Sequence, residues 1–130
     1  MPKTTITDVT AIGINVRDQD VALAFFVDTL GFEKRLDAPI SDTMRWITVA
    51  PPEATTSIAL IGGETSGVDT GIRFAVPDAA AEHAALRDRG VTVSDLIQWV
   101  GVPPMFTFED PDGNRFYIVE ETVQDVPASR

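Results

Sequence analysis

Asp110-Pro111-Asp112-Gly113-Asn114-Arg115-Phe116-Tyr117-Ile118-Val119-Glu120 reads as a tight turn feeding a strand. Pro111 presets its own φ, Gly113 supplies a positive φ, and Asp112 and Asn114 can bond their own backbone, so the chain reverses here. Beyond the turn, Asn114, Phe116 and Ile118 fall on one face and Arg115, Tyr117 and Val119 on the other. A period of two marks a strand lying between two different environments.

Around that stretch, 130 residues with 44% hydrophobic and 23% charged content make an ordinary globular chain, long enough for one domain with a real core. Twenty Asp and Glu against ten Lys and Arg leave a net charge of −10, which repels nucleic-acid phosphates and anionic membranes and steers cations. The expected partner is therefore a small molecule, with no nucleic acid and no membrane. Without cysteine there is no disulfide framework, no thiolate metal site and no Cys nucleophile, which fits the cytoplasm. Residues 1–5 lack a basic and apolar leader, and no run approaches the roughly 20 apolar residues that span a bilayer, so a soluble, untargeted protein is expected.

In chain order, residues 6–16 read as a strand alternating Ile12, Ile14 and Val16 with Ala11, Gly13 and Asn15. Asp18 then caps a helix carrying Val21, Ala22, Phe25, Phe26 and Leu30, and Gly31 offers its left-handed end. Residues 32–36, 45–49 and 56–61 read as three more strands, separated by Pro39, by Pro51 and Pro52, and by Gly62 and Gly63. The order then begins again. Ile12, Ile14, Val16 and Asp18 return as Ile72, Phe74, Val76 and Asp78, each 60 positions on, and Gly31 returns as Gly90 after 59. Asp78 caps an Ala-rich helix, and strands are expected near residues 91–96, 104–109 and 114–120. Residues 62–70 form a linker, and residues 123–130 a frayed tail. The predicted fold is α+β. Two tandem βαβββ modules, about residues 6–62 and 70–121 of a single 1–130 domain, form a curved mixed sheet around a cavity.

Val16-Arg17-Asp18, the helix ending Phe25-Phe26-Val27-Asp28-Thr29-Leu30-Gly31-Phe32, and the closing Asp110-Pro111-Asp112-Gly113-Asn114 resemble the vicinal oxygen chelate superfamily of glyoxalases, bleomycin-resistance proteins and extradiol dioxygenases. The resemblance covers roughly residues 7–121. It implies a cupped sheet, often completed by a second chain, with metal ligands projecting from the first and last strands of the modules. Carried over position by position, those ligands fall on Ala11, Ala59, Gly71 and Tyr117, and neither Ala nor Gly donates from a side chain. No metal and no cofactor are therefore expected. His83, the one histidine, reads as a half-exposed helix residue.

Alternation puts Asn15, Trp46, Thr48, Arg73 and Tyr117 on the faces away from the helices, where Ala11, Gly13 and Gly71 leave space. These five are the candidate ligand-binding residues, an aromatic lining with a few polar groups. Trp46 serves either as core or as a platform for a ligand. Arg73 either pairs across the sheet with Glu109 or Glu120, or is held for an anionic or carbonyl-bearing ligand. Trp99, Met105, Phe106 and Phe108 surround residues 101–104, a mouth for the pocket or a subunit contact. The expected function is a metal-free binding protein of the glyoxalase/bleomycin-resistance type that sequesters an aromatic or drug-like compound, as a cytoplasmic homodimer. The alternative is a lyase, isomerase or dioxygenase-like enzyme of that superfamily acting on a small carbonyl or aromatic substrate. In it Tyr117 would act as acid and Arg73 would stabilise an enolate.

Overall fold

The computed structural model describes residues 2–64 and 67–121, so the tail expected at residues 123–130 lies outside the described residues. The first module runs β1 (Ala11–Val16), α1 (Gln19–Ala24) with a π-helical turn (Phe25–Thr29), β2 (Glu33–Pro39), β3 (Arg45–Ala50) and β4 (Ser57–Gly62). The second runs β5 (Asp69–Val76), α2 (Ala79–Asp88), β6 (Thr92–Val93), β7 (Met105–Glu109) and β8 (Arg115–Glu120). The chain divides between Thr65 and Ser66 into two compact units, each a βαβββ module with its own four-stranded mixed sheet. Among the described residues no helix is long and apolar enough to cross a membrane.

In the first unit the order is β1-β4-β3-β2, with β1 and β4 parallel and the other neighbours antiparallel. Ile14, Val16, Ile47, Val49, Ile58 and Leu60 are buried with Ala22 and Phe26 of the helix. Each of these Ile, Val, Leu and Phe side chains removed from water contributes roughly 1.5–3 kcal/mol, which outweighs the weak helix propensity of so short a segment. Asp18 caps α1 as expected, its Oδ1 accepting the backbone N–H of Asp20 at 2.9 Å and of Val21 at 3.1 Å. The strand expected from residue 6 begins only at Ala11, because its partner β4 begins at Ser57, the residue opposite.

The helix hides one irregularity. Leu30 N–H bonds the Phe25 carbonyl at 3.0 Å, five residues back, so the last turn is π-helical before Gly31 takes φ +83°. Asp18 to Gly31 is one residue longer than Asp78 to Gly90, and the widened turn absorbs that residue.

The second unit has the matching order β5-β8-β7-β6, with β5 and β8 parallel. Phe74, Phe108 and Phe116 stack at centroid distances of 5.2–6.3 Å, and Phe106, Ile118 and Leu86 are buried with them. Asp78 caps α2 by accepting from Ala81 N–H at 3.0 Å. The strand expected over residues 91–96 is only Thr92–Val93. Beyond it Ser94 N–H donates to the Thr107 carbonyl at 2.9 Å and the chain rejoins β7 at the isolated bridge of Ile97 to Met105.

The turn before β8 is built from buried polar groups. Asp110 Oδ1 accepts the N–H of Asp112 at 2.9 Å and of Asn114 at 2.8 Å, and its Oδ2 accepts from the Asn114 amide at 2.9 Å. Burial of Asp110 pushes its carboxyl above the ordinary carboxylate value, and these donors pull it back. The Asn114 Oδ1 in turn accepts Val68 N–H at 3.1 Å, and Arg115 N–H donates to the Val68 carbonyl at 2.8 Å. Gly113 holds φ +81°. Gly67 approaches so closely that a Cβ there would lie 2.2 Å from the Gly113 carbonyl oxygen. Asn114→Ala leaves both the Asp110 carboxylate and Val68 N–H short of a partner. We expect a loss of about 3 kcal/mol in urea denaturation, and a loss below about 0.5 kcal/mol would show that the turn does not depend on this amide.

Candidate functional site

On the first sheet, register sets one row of residues side by side on the face away from α1. Gly13 lies opposite Ala59, Ala59 opposite Thr48, and Thr48 opposite Leu36. Ala59 and Thr48 are buried, at 1% and 7% exposure. At Gly13 a Cβ would meet Ile61 Cδ1 at 2.7 Å, so the missing side chain lets Ile61 lean across the strand. The next row carries Asn15 opposite Ile61 and Trp46 opposite Ala38. Trp46 is 37% exposed, unlike its buried strand neighbours Ile47 and Val49.

On the second sheet, β5 carries a bulge. Asp69 pairs with Arg115 and Arg73 with Tyr117, so four steps on β5 match two on β8. The bulge centres on Gly71, which takes φ +71° and donates its N–H to Asp69 Oδ1 at 3.0 Å, and exposed and half-buried residues still alternate along β5. The bulge gathers a charged cluster. Tyr117 Oη donates to Asp69 Oδ2 at 2.6 Å, and Arg115 Nη1 lies 3.9 Å from the same oxygen. The Arg73 guanidinium sits 4.4 Å from the centroid of the Tyr117 ring while its Nη1 donates to the Gly71 carbonyl at 2.8 Å. Neither acidic partner expected for Arg73 is used. Glu109 lies opposite Arg115, and Glu120 Oε1 accepts Ala79 N–H at 3.0 Å. Asp69, which holds Tyr117 in place, was hidden in the linker.

The four positions to which the resemblance carries metal ligands do not fit a metal ion. Ala11 opens β1, Ala59 is buried in β4, Gly71 sits in the bulge, and the Tyr117 hydroxyl is committed to Asp69. Among the described residues no group of three His, Cys, Asp or Glu side chains could hold one. His83 Nε2 lies 2.8 Å from the Ser94 carbonyl and its ring meets Phe106 edge-on, which is a packing role. Phe106 and Phe108 belong to the core, whereas Trp99 is 68% exposed.

The first unit also holds an open cleft of ≈ 630 Å³ that none of the five candidate residues lines. It is polar, with Gln19 and Arg45 in its wall. Gln19 Nε2 donates to the Arg45 and Leu60 carbonyls at 2.6 and 2.8 Å. Arg45 meets Asp37 through Nε and Nη2, both at 3.0 Å, and Asp20 through Nη1 at 2.8 Å. Arg45 holds the Asp37 carboxyl below its ordinary value. These partners depend on hairpin register, which leaves no local signal in the sequence.

A family model described as Glyoxalase/Bleomycin resistance protein/Dioxygenase superfamily matches residues 8–118. A crystal structure of a member of that superfamily from Sphaerobacter thermophilus is 38% identical with a TM-score of 0.84, covering 91% of this chain and all of the other. TnmS3, an antibiotic binding protein from Streptomyces sp. CB03234, is 31% identical with a TM-score of 0.80, covering 92% of this chain and 100% of its own. The uncharacterized protein YurT of Bacillus subtilis (strain 168) is 31% identical over 83% of this chain and 94% of its own.

The Tyr117 to Asp69 bond has a pH signature. The hydrogen bond to Asp69, more than desolvation, raises the Tyr117 phenol above its ordinary value, and the same bond with the Gly71 N–H lowers Asp69. A raised group contributes below its ordinary value and loses that contribution as pH rises through the raised one. A lowered carboxyl contributes above its ordinary value and loses it as pH falls through the lowered one. The bond is therefore fully present between about 3.9 and about 10. Tyr117 is the one tyrosine of the chain, so phenolate absorbance reports it alone. Asp69→Asn should bring its titration down toward the ordinary value, and an unchanged titration would show that Asp69 does not hold the phenol.

Proposed function

The chain belongs to the Glyoxalase/Bleomycin resistance protein/Dioxygenase superfamily, and on that premise we propose that it is a binding protein that sequesters a small aromatic, drug-like compound without a metal ion. The observation that carries this reading is the residue set at the four implied ligand positions: Ala11, Ala59 and Gly71 have no side-chain donor, and Tyr117 is bonded to Asp69. Polarising a diol, an enediolate or dioxygen by this superfamily's route is the work of a metal ion, and binding needs none. A second support is the likeness to TnmS3, an antibiotic binding protein, at 31% identity over nearly the whole chain.

As candidate ligand contacts we assign Asn15, Trp46 and Thr48 on the first sheet and, each sheet taken by itself, Arg73 and Tyr117 on the second. Exposed aromatic surface beside a few fixed polar groups is the usual make-up of a small-molecule site. A role for Tyr117 as general acid is disfavoured, because a phenol raised by a carboxylate gives up its proton less readily. We assign the protein to the cytoplasm and to a homodimer, in which a two-fold partner covers sheet edges that one chain leaves open.

Dialysed protein is expected to carry no stoichiometric Zn, Ni, Fe or Mn, and to bind aromatic probes equally with and without a chelator. Trp46→Leu should weaken binding and remove most of the change in indole fluorescence. About one metal per chain surviving dialysis, or binding abolished by the chelator, would overturn this function. Light scattering at micromolar concentration should return twice the 14.1 kDa chain mass, and a monomer would contradict the dimer.

A further inference from the structure

Two arginines of this chain make the same kind of anchorage and differ in one edge. Arg45 spends Nη1 on Asp20 and gives its Nε and Nη2 edge to the two oxygens of Asp37, both at 3.0 Å. That is the side-on fork by which a guanidinium takes a carboxylate. Arg73 likewise spends Nη1, here on the Gly71 carbonyl at 2.8 Å, and its plane is braced on the Tyr117 ring at 4.4 Å. Its Nε and Nη2 edge meets no acceptor among the described residues. The brace is itself held, since Tyr117 is pinned by Asp69 and Gly71 is turned by the bulge.

From this comparison we infer that the Nε and Nη2 edge of Arg73 receives a planar carboxylate carried by an aromatic ligand. The inference rests on the sequestration function and names the ligand class that site selects. A surface arginine on a flexible stem loses side-chain entropy when it binds, and this one is already ordered. The Asp69 carboxylate accepts the Tyr117 hydroxyl, which with a smaller pull from the Arg73 charge holds it below its ordinary value; it lies 3.9 Å from Arg115 Nη1 and makes no hydrogen bond to the Arg73 fork. The net charge of −10 opposes an anion at a distance, but at physiological salt such repulsion is screened beyond about 8 Å. Selection is therefore made at contact, by a fork that fits a carboxylate and repels an ammonium.

The experiment is a calorimetric titration of naphthoate, naphthamide and naphthylmethylammonium into wild type, Arg73→Met and Arg73→Lys at one salt concentration. Naphthoate should bind wild type at least about 10-fold more tightly than the ammonium probe. Arg73→Met should weaken naphthoate by about 10 to 100-fold and naphthamide by less than about 3-fold. Arg73→Lys should restore only part, because an ammonium is not a fork. Arg73 is exposed, so both variants should keep the wild-type circular dichroism. A direct readout is the Arg73 Nε–H resonance, which should shift with naphthoate and not with the ammonium probe. If the probes bind but the ammonium matches naphthoate, or Arg73→Met leaves naphthoate unchanged, the carboxylate assignment falls and sequestration stands. If no probe binds saturably, both fall.

Discussion

Asn114 is fully buried, and an amide in that position must find partners for both its donor and its acceptor. Its Nδ2 goes to Asp110 and its Oδ1 takes Val68 N–H, so one side chain ties the closing turn to the residue just before β5. A buried carboxylate without donors would cost several kcal/mol, and Asp110 accepts three. Because β5 and β8 both start from this clasp, the parallel pairing that sets Arg73 beside Tyr117 begins there. The candidate site of the second unit is thus downstream of a structural amide, not of a catalytic one.

Much of the architecture was legible because its signals are local. Asp18 and Asp78 stand where a helix needs a side-chain acceptor, and Gly31 and Gly90 where it needs a positive φ. Alternation of Phe116 and Ile118 with Tyr117 and Val119 survives as buried against half-buried. What was lost depends on pairing. Residues 6–10 look like a strand and are not one, since β4 offers no partner before Ser57. After β6 stops at Val93, Ser94 N–H still reaches the Thr107 carbonyl and Ile97 bridges to Met105, but no continuous ladder joins the two.

At the candidate site, face could be read and partners could not. Period two set Trp46 and Thr48 together, and Arg73 with Tyr117, and in-register pairing keeps each set on one face. Asp69 was invisible as a partner because it lies among Gly, Thr and Ser residues that read as a linker. The bulge that brings it to Tyr117 has no sequence mark beyond Gly71. The Arg45 with Asp37 and Asp20 arrangement was missed for the same reason: one partner lies across a hairpin and the other on the helix.

The π-helical turn at Phe25–Thr29 bears on how the two modules came to differ. If both descend from one ancestral unit, their helices have come to differ by a single residue between cap and closing glycine. In a strand an extra residue throws every following side chain to the opposite face unless a bulge absorbs it, as between Lys34 and Leu36. In the helix it was accommodated as a wider loop of backbone, with Phe26 still buried and Gly31 still at the exit. The duplicated halves could therefore drift apart in length without disturbing the registers on which their sheets depend.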